Sequence, residues 1–435
     1  MNRSSITRFG TALPAAATLA ALTLGAAPGA SADPSDGHTS GDRSPSDSSC
    51  GTSATSSGRY SQGKGTVSRS NAAYSTTTPD ANTVLISGGT FNLDTASVTK
   101  SGDTSDDVNS GLYGQNAAVL TEYGAKTNLT ATDITTDGRG ANGLVSTNDG
   151  TAVTMTGCGI STSGALSHAA YVANGAALSV HDVTLSTSGE QSAAAATGWA
   201  DGTLTMTGGS ATATGPGSAG LYSTAKVTAS DAVITSGADY GAVVDGANSL
   251  TLNNDTTSGH SGGVQAWSSG GKVPGTARIT VNGGSLDATD GDDFSVEGAN
   301  ADITVQGGAT LTASGCLLNA ADGSTAALTA SGETLSGDVR TDSTSTAAVT
   351  LADSSSLSGT LGESSLTLDE TSNWNVTGNS VLTSFSDTAG ISGTTIANIT
   401  GNGYTVTYDS SLPANSALDG RTYDLQGGGT LEPAS

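Results

Sequence analysis

A three-residue pattern recurs along this chain at a nearly constant interval. An apolar residue is followed by a small polar one and then by a second apolar one, as in Val153-Thr154-Met155, Leu178-Ser179-Val180, Leu204-Thr205-Met206, Leu250-Thr251-Leu252 and Ile303-Thr304-Val305. Read from Phe91 and Leu129 through to Leu366, successive copies mostly start about 21 to 26 residues apart, an interval at which solenoids repeat. Alternation with period two marks a strand with one buried face. Around it, the stretch from Gly202 to Tyr222 reads as one full turn. The first strand holds Leu204 and Met206. Gly208-Gly209 follows, then a short strand over 210–214, the turn Gly215-Pro216-Gly217, and a third strand from Ala219 to Tyr222.

No single turn has enough apolar surface to fold alone. Stacked turns make an apolar column inside and a Thr ladder outside, where a β-branched residue packs well and hydrogen-bonds along the ladder. The expected fold is all-β, a parallel β-helix of about twelve coils. At the usual strand spacing of about 4.8 Å that is a rod of roughly 55 Å. Gly102, Gly140, Gly164, Gly189 and Gly215 fall eleven positions after the first apolar residue of their turns. They read as corner residues with left-handed backbone.

With 12% charged and 4% aromatic residues and 61 glycines, composition alone would fit disorder. The apolar column over residues 84–408 argues otherwise. A formal net charge of −25 argues against nucleic acid and anionic membranes as partners. Arg3 and Arg8, the apolar run Ala15–Leu24 and the small residues Ala30-Ser31-Ala32 read as a secretory signal over 1–32, cut before Asp33. That run is too short to span a bilayer, no second apolar run of spanning length follows, and no membrane insertion is expected. The expected locale is extracellular, with attachment to a cell surface left open.

Residues 33–66, rich in Ser, Gly and Thr, read as a flexible leader. Residues 67–363 read as the β-helix and 364–435 as its C-terminal cap and tail, with Trp374 over the exposed end of the apolar column. Cys158 and Cys316 lie too many turns apart to pair, and Cys158 is expected to pack as a small apolar residue. Cys50 lies in the leader.

Few stretches carry chemistry. The step from Phe91 to Leu129 is longer than one turn. The excess, Asp103 to Asn116, is expected to protrude as a loop, the usual place for a binding surface on a solenoid. Its Asp103, Asp106, Asp107 and Asn109 suit either a calcium ion or a solvated acidic loop, and both readings stay open. Apart from that possible Ca2+ site, no metal or cofactor is expected. A second excursion, Trp267 to Ala277, sets a Trp beside Lys272, suited to stacking on a sugar or to packing under its own loop. Tyr113, Tyr171 and Tyr222 form either an aromatic stripe or filled corners. For an enzyme, the best cluster is Arg278 with Asp290, Asp292 and Asp293, a base beside carboxylates. His168 and His181 lack a third ligand at metal spacing. The outward Thr column would suit ice binding, but the next outward column is mixed.

The repeat resembles the right-handed, pectin-lyase-like β-helix family. The stretch Trp374-Asn375-Val376-Thr377-Gly378-Asn379-Ser380 is similar to the closing region of pertactin-like passenger domains of autotransporter adhesins. Together these likenesses cover roughly residues 80–410. They imply a secreted adhesin-like or structural rod that binds an extracellular glycan or protein without catalysis. Autotransporters end in a membrane β-barrel, and no such segment is read here. The pectin-lyase-like fold also hosts polysaccharide lyases and glycoside hydrolases, which makes these the alternative. Gly259-His260-Ser261 and Arg278-Ile279-Thr280 only partly match the hydrolase motifs.

Overall fold

A computed structural model describes residues 56–198, 201–269, 275–387 and 389–434. The signal segment 1–32, most of the leader, Cys50 and Lys272 lie outside the described residues. The chain forms a parallel β-solenoid of about 15 turns, roughly 70 Å long at the usual strand spacing. Three strand columns make its faces. The first sheet has 12 strands, from Gly58–Gln62 to Val339–Thr341. The second begins at Thr66–Ser70, and the third has 10 strands, from Ala73–Thr76 to Thr310–Ala313. Beyond Thr310–Ala313 the second and third faces merge into one bonded network that runs to the C-terminal end.

The second sheet follows the sequence pattern most closely. Val153, Leu178, Leu204, Val227, Leu250, Ile279 and Ile303 stack in register, each almost wholly buried. Thr154, Ser179, Thr205, Thr228, Thr251 and Thr280 form the outward ladder beside them. After this strand the chain turns with a left-handed residue in successive turns: Gly157, Asp182, Gly208, Asp231, Asn254 and Gly283. Gly, Asn and Asp are the residues that take this conformation most easily.

The structure corrects several sequence expectations. There are about 15 turns rather than twelve. The turn before Phe91, with Val67 in register below it, falls where the β-helix was expected to begin, and shortened turns continue past Leu366 through Phe385, Val406 and Leu431, in the stretch read as cap. The first strands, at 58–62 and 66–70, lie partly inside the stretch read as leader. Their polar residues hide them, because an end strand covers the column from one side only.

In the coil after Phe91 the first inward residue, in register with Phe91, is Thr127, and Leu129 is the second inward residue, paired with Leu93. The buried Thr127 hydroxyl bonds to that of Thr121 at 2.8 Å, so a polar residue there leaves no unmet bond. Among the recurrent glycines only Gly102 and Gly140 have positive φ. Gly164, Gly189 and Gly215 are required by close stacking, since a Cβ on each would strike the carbonyl oxygen of the glycine one turn below: Gly138, Gly164 and Gly189 respectively.

Trp374 is not the lid. It is 0% exposed, between Leu357 and Ile399 of neighbouring turns, and its Nε1 donates to Gly359 O at 3.0 Å. The end is closed by a short 3-10 helix, Pro413–Leu418, and by strands 423–426 and 430–433, which pair antiparallel. Cys158 packs in the core as a free thiol, as expected. No helix among the described residues is long and apolar enough to cross a membrane.

Candidate functional site

The outward face of the first sheet carries side chains unlike those of the Thr ladder. Leu85, Leu120, Val145 and Tyr171 stand in one outward column, and all are buried. Exterior residues become buried only when something covers them, and here the insertion after Phe91 does so. Instead of protruding as a loop, it folds into helix α1, Asp107–Tyr113. The helix lies across the sheet, and a Cβ on its C-cap Gly114 would strike Val145 and Leu120. Ser110 Oγ donates to Gly140 O at 2.5 Å, and Asn174 Nδ2 donates to Leu112 O at 3.3 Å.

The polar residues that suited calcium each have a partner in the fold. Asp106 caps α1, accepting from the backbone N–H of Val108 and Asn109 and from Asn109 Nδ2 at 2.9 to 3.0 Å. Asp107 accepts a bidentate pair from Arg139 at 3.0 and 2.6 Å. Asp103 accepts from Arg139 N at 2.8 Å. The Asp107–Arg139 pair is 40–47% exposed, so it contributes at most about 1 kcal/mol. Beside that ion pair, α1 offers two large hydrophobic residues to solvent, Val108 at 45% and Tyr113 at 44% exposure. Tyr123, 66% exposed, sits at a corner of the neighbouring turn with φ 55°.

The proposed enzyme cluster does not assemble. Arg278 is the second residue of strand Ala277–Asn282 in the second sheet and lines a hollow with Lys226, Ser249 and Asp201. None of the three aspartates lines that hollow. Asp290 lies on the far side of the turn, its N–H donating to His260 O. Asp292 Oδ1 accepts from Cys316 N at 2.6 Å, tying one turn to the next. Asp293 is 0% exposed, and neither carboxyl oxygen makes a hydrogen bond of ordinary geometry, although the Thr312 backbone partly offsets the burial. Burial first, then Asp292 and Asp287, push its carboxyl up to about 8. Arg278 is not among the groups acting on it.

Higher on the same face a group of aromatic and acidic residues comes together that sequence reading did not assemble. In register along one outward column are Asp245, Trp267 and Glu297. The neighbouring column holds Tyr222, Val243, Gln265 and Ser295. Tyr222 Oη donates to Asp245 Oδ2 at 2.9 Å, and Ser295 Oγ donates to Glu297 Oε1 at 3.0 Å. Tyr240 leans over Gly262, where a Cβ would strike its ring, and its hydroxyl reaches Ser295.

Asp239 stands beside both Tyr222 and Tyr240, 7% exposed, with Oδ2 unpartnered. Burial pushes its carboxyl up to about 6 and the Tyr240 phenol up to about 12. Trp267 and Tyr222 were visible in the sequence as isolated aromatics. Asp245 and Glu297 read there as ordinary surface acids, and only the strand register shows that they flank the Trp.

His168 serves the fold. Its ring stacks on Tyr171, centroids 5.5 Å apart, and its Nδ1 accepts from Ala193 N at 3.0 Å. Asn142 does the same one turn below, accepting from His168 N at 2.8 Å. No protein-family model matches this chain, and no curated protein matches it.

Proposed function

We propose that the protein is a secreted, adhesin-like or structural rod that binds an extracellular glycan or protein without catalysis, akin to pertactin-like passenger domains on the pectin-lyase-like fold. One observation carries this reading. The single large insertion among the described turns is spent on a pinned helix whose outer side presents Val108 and Tyr113, with Tyr123 at a nearby corner. Exposed aromatics on rigid scaffolds supply contact area at little entropic cost.

The test is retention of the full chain on immobilised polysaccharides and extracellular-matrix proteins. The Tyr113→Ser/Tyr123→Ser double variant should lose retention about tenfold or more, the effect of removing one or two contacts of about 1.4 kcal/mol, with the melting curve unchanged. Equal retention of the variant on every surface would remove α1 from the binding site.

A hydrolase or lyase is the second reading. The specific observation in its favour is the pair Asp245 and Glu297, set two turns apart around Trp267. Two turns are roughly 10 Å between backbones, near the upper end of the carboxylate spacing of inverting glycosidases.

A further inference from the structure

We infer that the Asp245–Trp267–Glu297 column, with Tyr222, Asp239 and Tyr240, is a subsite for an uncharged saccharide. This rests on the reading of the rod as a ligand-binding protein, but on a different part of its surface from α1, so each can fail alone.

Three observations carry it. The first is composition: three aromatic side chains gather on one outward patch in a chain that is 4% aromatic. Ring faces pack against the C–H faces of sugars, and Trp and Tyr offer polar tips beside them. The second is the unmet bond. Asp239 is almost wholly buried beside these rings, and Oδ2 has no partner within the protein. A buried polar atom left unpaired costs about 1 to 3 kcal/mol, and a ligand hydroxyl at that oxygen would satisfy it.

The third is the charge pattern. Asp239, Asp245, Asp292 and Glu297 act on this patch, the first two on Tyr222 and the others, with Asp239, on Tyr240. Among the described residues, which do not include Lys272, no Lys or Arg is among the groups acting on either tyrosine. Carboxylates accept from the paired hydroxyls of a sugar and repel a uronate or sulfate. Gln265, 6% exposed between Val243 and Ser295 in its column, adds an amide that both donates and accepts. The ligand class is therefore a neutral hexose or pentose polymer, not an acidic polysaccharide.

The experiment is affinity electrophoresis of the full chain through gels holding soluble neutral glucan, mannan, galactan or xylan, with polygalacturonate as the acidic comparator. The expected result is retardation by at least one neutral polymer and none by polygalacturonate. Trp267→Ala and Glu297→Gln should each weaken retardation about tenfold or more, while Trp267→Phe keeps most of it because the ring face remains. Far-UV circular dichroism and melting of each variant separate lost binding from lost fold. If Trp267→Ala unfolds the chain, the Glu297→Gln and Trp267→Phe pair decides. Reducing ends released from a neutral polymer and abolished by Glu297→Gln would equally place the saccharide here, while overturning the non-catalytic reading. No retardation by any neutral polymer, or retardation that the folded variants leave unchanged, overturns the proposal. So does a preference for polygalacturonate.

Discussion

Replacing Asp293 with alanine should stabilise the rod at pH 9, by an amount on the order of 5 kcal/mol if nothing relaxes around the charge. The residue sits in an inward column. In register below it are Gly263, Gly241, Gly220, Ala194, Ala169 and Gly143. A Cβ on Gly263 would strike Leu286, which places this column against the apolar interior. Alanine therefore fits a position that the fold already fills with alanine elsewhere.

The Asp293 carboxyl, raised to about 8 in the fold, titrates near 3.9 in an unfolded chain. Between these values the folded state holds one proton more than the unfolded state. Stability must then fall as pH rises, by about 1.4 kcal/mol per pH unit. The penalty is absent below the unfolded value and complete above about 8. Asp239 and Asp255, both raised to about 6 by burial, steepen the fall in its acidic part.

His168 works in the opposite sense. Burial holds it down to about 4, so its contribution is present above the ordinary imidazole value and is lost as pH falls through about 4. The rod should be most stable in mildly acidic solution. Hydrogen exchange of the strand 292–297 at pH 5, 7 and 9 measures this. The native chain should lose protection with rising pH, and Asp293→Ala should not. Protection of the native strand at pH 9 equal to that at pH 5 would refute a buried, unpaired carboxyl.

Trp374→Ala should cost about 3 to 5 kcal/mol, the range for deleting a fully buried large aromatic. It also takes the indole N–H at 3.0 Å from the Gly359 carbonyl, leaving that oxygen only the longer bond from Thr377 N at 3.4 Å. A solenoid turn contacts only its neighbours, so the damage should stay local and spread from the C-terminal end. Limited proteolysis should show new cuts between about 360 and 410, while the core turns from Phe91 to Leu328 stay protected. Global loss of protection would mean that the rod unfolds as one unit.

The repeat was legible because the second sheet has one face in the core and one in water, so its residues alternate visibly, as in Leu204-Thr205-Met206. The first sheet was not. Its strand Leu144-Val145-Ser146-Thr147 is buried on both sides, and burial of both faces erases the alternation. The functional candidates lie on that sheet. Asp245 and Glu297 belong to different turns, joined by connections of unequal length, and nothing local marks them as partners across Trp267. Asp293 reads in sequence as a candidate catalytic carboxylate because it lies among other aspartates. Its side chain points inward, a direction set by the corner preceding Phe294 that periodicity does not reveal. The Thr127 register was hidden by a polar residue whose bond is made to Thr121, outside its own strand.

Binding without turnover can be checked in a single assay. The full chain is incubated with neutral and acidic polysaccharides, with and without calcium, and both retention and new reducing or unsaturated ends are measured. The expected result is retention with no new ends, unchanged by calcium. New ends that disappear in Asp245→Asn or Glu297→Gln would contradict it and make the rod an enzyme.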